Sequence, residues 1–283
     1  MIQHLAILAP GLLGSSVARA ARERGLAGRI TVWARRAEVR AELRGQPWLD
    51  DVADTPGAAV AEASLIVLAA PVDRIIELDQ EIAPRLAAGA IVTDVGSVKG
   101  PICTAAARHP RPAGACFLGS HPMAGSEKTG WEHGQPTLFE KRVCFVTPTE
   151  NTPSGALVQL EKFWRALGAE VVVAAPAQHD EIVAHISHLP QAVATSLACA
   201  LAHKEGDWRH LAGNGLRDTT RIAAGDATMW VEIFQQNRAA ILEALARQEE
   251  EFTAFRLALE RSDWADLRAR LERGKAWRDG FRT

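Results

Sequence analysis

Leu5-Ala6-Ile7-Leu8-Ala9-Pro10-Gly11-Leu12-Leu13-Gly14-Ser15-Ser16-Val17-Ala18 joins an apolar run to a turn of small residues and the start of an amphipathic segment. In a strand-turn-helix setting such glycines let the backbone approach a pyrophosphate at the helix N-terminus. Ala9 departs from the pattern by standing at the first glycine position. Its methyl is tolerable where φ stays negative, and Pro10 biases the residue before it toward extended backbone. Ala9, Gly11, Leu12, Leu13 and Gly14 are therefore expected to hold a dinucleotide, with an ordinary strand-to-helix turn as the alternative.

Working outward, apolar strand candidates recur at residues 4–8, 30–33, 64–69, 90–94, 116–118, 143–147 and 170–173, mostly separated by helix-length segments. This alternation predicts a Rossmann-like α/β domain, a doubly wound and mostly parallel sheet, over residues 1–175. From Pro176 the pattern changes to helix-length segments, including 179–203, 227–245 and 247–259, which predicts a mostly α-helical domain over 176–283. Its apolar positions include Trp230, Phe234, Leu242, Phe252, Phe255 and Leu259. Helical domains of this size often bury such stripes against a second copy, so a homodimer through this domain is expected, with an intrachain core as the alternative.

Composition narrows the function classes. The 283 residues contain no tyrosine against eight Trp and eight Phe. That excludes the short-chain dehydrogenases, whose general acid is a tyrosine. The net charge of −2 and the lack of a basic run argue against a nucleic-acid partner. No apolar stretch reaches the roughly 18 to 20 residues of a membrane span, so no membrane partner is expected. The basic residues of the first apolar run follow it, so no secretory leader is expected. Cys103, Cys116, Cys144 and Cys199 match neither a paired metal motif nor a disulfide framework, and a reduced, cytoplasmic protein follows.

Beyond the second strand the chain reads Val32-Trp33-Ala34-Arg35-Arg36. An NAD enzyme would place a carboxylate there for the ribose hydroxyls; Ala34 removes its repulsion of a 2′-phosphate, and Arg35 or Arg36 would supply charge-assisted hydrogen bonds. NADP is the expected cofactor, the alternative being two solvated arginines. Ala70 and Pro71, past the third strand candidate, complete the expected cofactor contacts.

Four further segments carry polar residues: Asp94-Val95-Gly96-Ser97-Val98-Lys99, His121-Pro122-Met123-Ala124-Gly125-Ser126-Glu127-Lys128-Thr129-Gly130, Ser187-His188-Leu189-Pro190, and Leu216-Arg217-Asp218-Thr219-Thr220-Arg221-Ile222-Ala223. In this order and spacing they resemble the prephenate and arogenate dehydrogenases of tyrosine biosynthesis, over nearly the whole chain. The resemblance implies oxidative decarboxylation of prephenate to 4-hydroxyphenylpyruvate, or of arogenate to tyrosine, with hydride transfer to the nicotinamide.

It also implies roles. His121 matches the catalytic histidine, and a neutral imidazole suits removal of a hydroxyl proton. Ser97 matches the serine that hydrogen-bonds around that hydroxyl and the histidine. Arg221 matches the arginine that clamps a substrate carboxylate, and Arg217, one turn earlier, extends the positive field or pairs with Glu127 or Asp218. His188 matches a histidine facing the cleft, and Gly125 and Ser126 are carried over as substrate contacts. No metal is expected: His185 and His188 lack further ligands, and His133, His179 and Cys144 are read as having no catalytic role. Asp226 reads as a helix N-cap. With two domains counted, no fused regulatory module is expected within these 283 residues. Two rivals stay open: another Rossmann-plus-helical dehydrogenase or reductase, of the hydroxyacid or pyrroline carboxylate type, and an NADP-sensing protein without turnover.

Overall fold

The computed structural model describes residues 1–125, 128–204 and 207–281. Nine strands and twelve α-helices are assigned among them. β1 (Ile2–Leu8), β2 (Ala27–Trp33), β3 (Asp51–Val52), β4 (Leu65–Leu68), β5 (Ile91–Asp94) and β6 (Cys116–Phe117) form one sheet in the order β3-β2-β1-β4-β5-β6, parallel throughout. α1 (Leu12–Glu23), α2 (Ala37–Leu43), α3 (Pro56–Val60), α4 (Val72–Ile82) and α5 (Gly100–Ala106) make the crossovers. The order reverses between β1 and β4, the point at which open α/β sheets bind ligands.

Alternate residues of each strand feed separate cores. Leu5, Ile7, Ile30, Val32, Leu65 and Val67 pack with α1 and with Leu160, Phe163 and Trp164 of α6 (Ser154–Ala166). Ala6, Leu8, Ile66, Leu68 and Val92 pack with Ile75, Leu78 and Ile82 of α4. With both faces covered, these strands read as continuous apolar runs.

The strand candidates at 143–147 and 170–173 do not join that sheet. As β8 (Val143–Thr147) and β9 (Glu170–Val173) they form a second sheet with β7 (Gly119–Pro122), β7 antiparallel to β8 and β8 parallel to β9. β7 escapes a sequence reading because Gly, Ser, His and Pro are poor strand formers. Context imposes it: a Cβ on Gly119 would lie 2.5 Å from Thr147 Oγ1 and 3.0 Å from Cys103 Sγ, so only glycine lets the chain turn there.

The chain divides into two compact units, residues 1–183 with 224–237, and residues 184–223 with 238–283. The first also holds α7 (Pro176–Val183) and α10 (Ala227–Gln236). The second holds α8 (Leu189–Ala202), α9 (Asn214–Thr220), α11 (Arg238–Glu260) and α12 (Trp264–Asp279). Where one continuous helix over 179–203 was expected, residues 184–188 form a π-helical turn before α8. Pro190 has no N–H to donate back one turn, and the ladder widens just ahead of it.

Candidate active site

The turn after β1 forms the floor of a cleft of about 460 Å³ in the first unit. Gly11 caps α1, and a Cβ built on it meets nothing within 4 Å, so the cradle stands open in front of the helix. Gly14 is the opposite case: a Cβ there would lie 2.9 Å from Ala69 Cβ and 3.0 Å from Ile7 Cγ2, and its absence lets α1 sit on β1 and β4. Ala9 corrects the expectation of negative φ. It lies in the left-handed region at φ 63°, with Gly11 N–H donating to its carbonyl at 2.7 Å. The bias from Pro10 is overridden because strand and helix are both fixed by packing on either side of the turn.

Ala34, Arg35, Arg36, Ala70 and Pro71 line the same cleft, joined by Trp33, Arg74, Trp131 and Glu132, which sequence reading missed. Ala34 is buried, while both arginines are exposed and form no ion pair among the described residues. The guanidinium of Arg40 donates to the carbonyls of Ala34 and Arg35 at 2.8 and 3.0 Å and pins this rim. Open backbone at Gly11 and free guanidinium groups at the β2 end fit a dinucleotide, its pyrophosphate on the helix N-terminus.

The second part of the site lies past the ends of β5 and β7. The Asp94 carboxylate is fully buried against the Lys99 ammonium and accepts from Gly96 N at 2.8 Å and Ser120 N at 3.1 Å. Lys99 Nζ donates to Ser120 O at 2.9 Å, and the Ser120 hydroxyl donates to Asp94 O at 2.6 Å while accepting from Trp164 Nε1 at 3.1 Å. Asp94 and Lys99 thus hold the residue before His121 rather than facing a ligand.

His121 lies within β7, not in a loop after a strand, and is 8% exposed. Its Nδ1 is 2.9 Å from Nε2 of His179, whose Nδ1 is 2.7 Å from Asp180 Oδ1. Asp180 in turn accepts from Lys99 N at 2.7 Å and Gly100 N at 2.8 Å. Burial, the largest influence, holds the His179 pKa below the usual imidazole value, against the raising effect of its bond to Asp180. Ser97 is half-buried, and the partner at Nδ1 of His121 is His179.

In the second unit His188 is buried and ends the π-helical turn. Arg217 on α9 and Arg221, which ends it, are exposed and four residues apart, a spacing that puts them on one helical face. Arg217 donates to Ala212 O at 3.3 Å and has no ion pair with Asp218 among the described residues. Gly125 is exposed, and Ser126 and Glu127 lie outside the described residues.

Residues 17–173 match the family model of the prephenate dehydrogenase nucleotide-binding domain, and residues 175–273 that of the prephenate dehydrogenase dimerization domain. The chain belongs to the prephenate dehydrogenase family. Prephenate dehydrogenase of Bacillus subtilis is 32% identical over 82% of this chain, which spans 64% of that protein's length. Cyclohexadienyl dehydrogenase of Zymomonas mobilis is 30% identical over 93% of this chain and 90% of its own. Among solved structures, prephenate dehydrogenase from Aquifex aeolicus in complex with hydroxyphenyl propionate and NAD+ superposes with a TM-score of 0.90 at 29% identity, covering 98% of each chain.

Within this family member, the first unit brings together the glycine turn, the β2 rim and Ala70-Pro71 around one cleft. His179 and Asp180 are what the sequence reading missed. The adjacent His-Asp pair on α7 was the available signal, but pairing to a histidine 58 residues away leaves no periodic trace.

Proposed function

We propose that the protein oxidises prephenate or arogenate with decarboxylation and passes the hydride to NADP. The observation that carries this reading is His121, the histidine of the family motif, fixed on β7 through its ring and through its neighbour Ser120. The bound oxidised nicotinamide supplies a hydride acceptor. Hydride leaves the carbinol carbon of the substrate ring, and the hydroxyl proton passes to His121. The ring carboxylate departs as carbon dioxide, the bonding pair it leaves behind completes the aromatic ring, and the aryl oxide formed takes a proton back to give the product hydroxyl and the neutral His121. Aromatisation supplies much of the driving force, so the residues chiefly orient the substrate and take one proton.

Arg221 clamps a substrate carboxylate with a planar two-pronged donor, and Arg217 on the same face adds positive field. His188, Gly125, Ser126 and Ser97 complete the substrate contacts. NADP is favoured over NAD because Ala34 offers no carboxylate to a 2′-phosphate and Arg35 and Arg36, at the rim, form no ion pair among the described residues. Glu42 lines the same cleft but accepts from Trp131 Nε1 at 3.3 Å. A homodimer is supported by exposed apolar side chains of the second unit, among them Leu242, Phe252, Leu259, Trp264 and Trp277. A reducing, cytoplasmic setting is supported by four free cysteines. No described helix is long and apolar enough to cross a membrane.

The test is to mix the protein with NADP and prephenate or arogenate and follow absorbance of the reduced nicotinamide. Reduction is expected; cofactor binding without reduction with either substrate would sink the assignment. His121→Asn should keep cofactor affinity and lose about 10²-fold or more in turnover.

A further inference from the structure

We propose that His179 and Asp180 are positioning residues that fix the tautomer of His121, placing its proton on Nδ1 and leaving Nε2 as the acceptor for the substrate hydroxyl proton. This deepens the reading above and rests on it for the identity of the proton donor.

The assignment follows from counting donors. Both Asp180 oxygens accept main-chain N–H groups, from Lys99 at 2.7 Å and Gly100 at 2.8 Å, so the carboxylate is an acceptor on both sides. Its Oδ1 lies 2.7 Å from His179 Nδ1, which must carry a hydrogen, since two lone pairs at that distance in a buried site would repel. A neutral His179 has one N–H only, and burial keeps it neutral. Its Nε2 is therefore an acceptor, and the hydrogen in the 2.9 Å contact belongs to His121 Nδ1.

Packing prevents the rings from flipping out of this order. His179 has no exposed surface and meets the rings of His121 and Phe145 edge-on, at centroid distances of 5.1 and 5.0 Å. The Asn237 side chain donates to the Asp180 carbonyl at 2.8 Å and anchors α7.

Charge favours the same role. The ionisable groups acting on His179 are Asp180 on its own helix, Asp94 at the end of β5 and Lys99 at the start of α5. The thiols of Cys103 on α5 and Cys144 on β8 stay neutral, because burial pushes both upward. Asp94 and Lys99 neutralise each other, and the carboxylate of Asp180, linked to His121 through His179, offsets the positive charge that His121 acquires with the proton. The arrangement resembles the acid that orients a catalytic histidine in hydrolases, with a second imidazole inserted as spacer.

The decisive measurement is nitrogen-15 NMR of the histidine side chains, with His121 assigned by its loss in His121→Asn. The expected result is the Nδ1–H tautomer in the wild type at neutral pH; the Nε2–H tautomer would overturn the proposal. In His179→Leu, which cannot accept, turnover should fall about 10²-fold with Michaelis constants within about twofold. The acid limb of its kcat profile should move to lower pH, because the relay stabilises protonated His121. His179→Gln should recover tenfold or more, since its carboxamide presents an acceptor and a donor spaced much as the two ring nitrogens are. An unchanged kcat and limb in His179→Leu would overturn the proposal. If that variant does not fold, the wild-type tautomer and the Gln variant decide. A wild type active on neither substrate but showing Nδ1–H refutes the functional reading alone; an active wild type showing Nε2–H refutes the relay alone.

Discussion

At Gly11 and Gly14 the protein uses backbone and missing side chains, whereas around His121 it uses a chain of buried side chains bonded to one another. The cradle has open space where a Cβ would go at Gly11, and contacts under about 3 Å where one would go at Gly14. The histidine region has Asp94, Lys99, Ser120, His179 and Asp180, each bonded to at least two partners. A cofactor that leaves after each turnover needs an accessible backbone surface with few groups to rearrange. A proton acceptor needs one ring orientation and one tautomer, which only neighbouring side chains impose. The two regions should therefore fail differently: the network by losing a group, the cradle by gaining atoms.

The largest effect is expected at Lys99. Lys99→Met leaves Asp94 charged and buried without its partner, which should cost about 3–5 kcal/mol in denaturant unfolding. A loss below about 1 kcal/mol would mean that the pair is dispensable and that the network is held by main-chain bonds alone. Arg35 and Arg36 test the rim of the cradle, where nothing is buried. Replacing both with Ala should lower kcat/KM for NADP about tenfold or more while leaving that for NAD within about twofold, with unfolding unchanged. An equal fall for both cofactors would show that the arginines act on something common to them.

Gly14→Ala and Gly11→Ala split the cradle itself. The first forces a methyl against Ala69, Ile7 and the Ala9 carbonyl and should cost about 1–3 kcal/mol. The second has room and should stay within about 1 kcal/mol of the parent while weakening cofactor binding. Equal stability losses would remove the distinction between a packing glycine and an approach glycine.

The same contrast explains what the sequence made legible. Strand, turn and helix of the cradle lie within one short stretch, and the apolar runs of β1, β2, β4 and β5 mark a sheet buried on both faces. His121 stands in a readable motif, but the residues that hold it come from β5, α5 and α7, and Asp180 bonds a main-chain N–H 81 residues away. Such pairings follow from topology, which composition and periodicity do not encode. β7 was hidden for a related reason, since its residues form a strand only because Val143–Thr147 lies beside them. In the second unit, a single proline rearranged an otherwise well-read helix.

The smallest effect is expected at Ala9, where the local rule and the structure disagree. An L-residue in the left-handed region is disfavoured by about 1–2 kcal/mol, and Ala9 sits there at φ 63°. Ala9→Gly removes that strain but gives the unfolded chain more freedom, a loss of about 0.5–1 kcal/mol. The difference predicts a gain of roughly 0.5 kcal/mol in unfolding free energy. Cofactor affinity should hold or fall slightly, because Ala already confines the turn while glycine must be ordered by the ligand. A loss of more than about 1 kcal/mol would show that the Ala9 methyl contributes packing that outweighs the strain. The first position of the turn would then depend on a side chain, as the histidine network does, and the contrast between the two regions would narrow to Gly11 and Gly14.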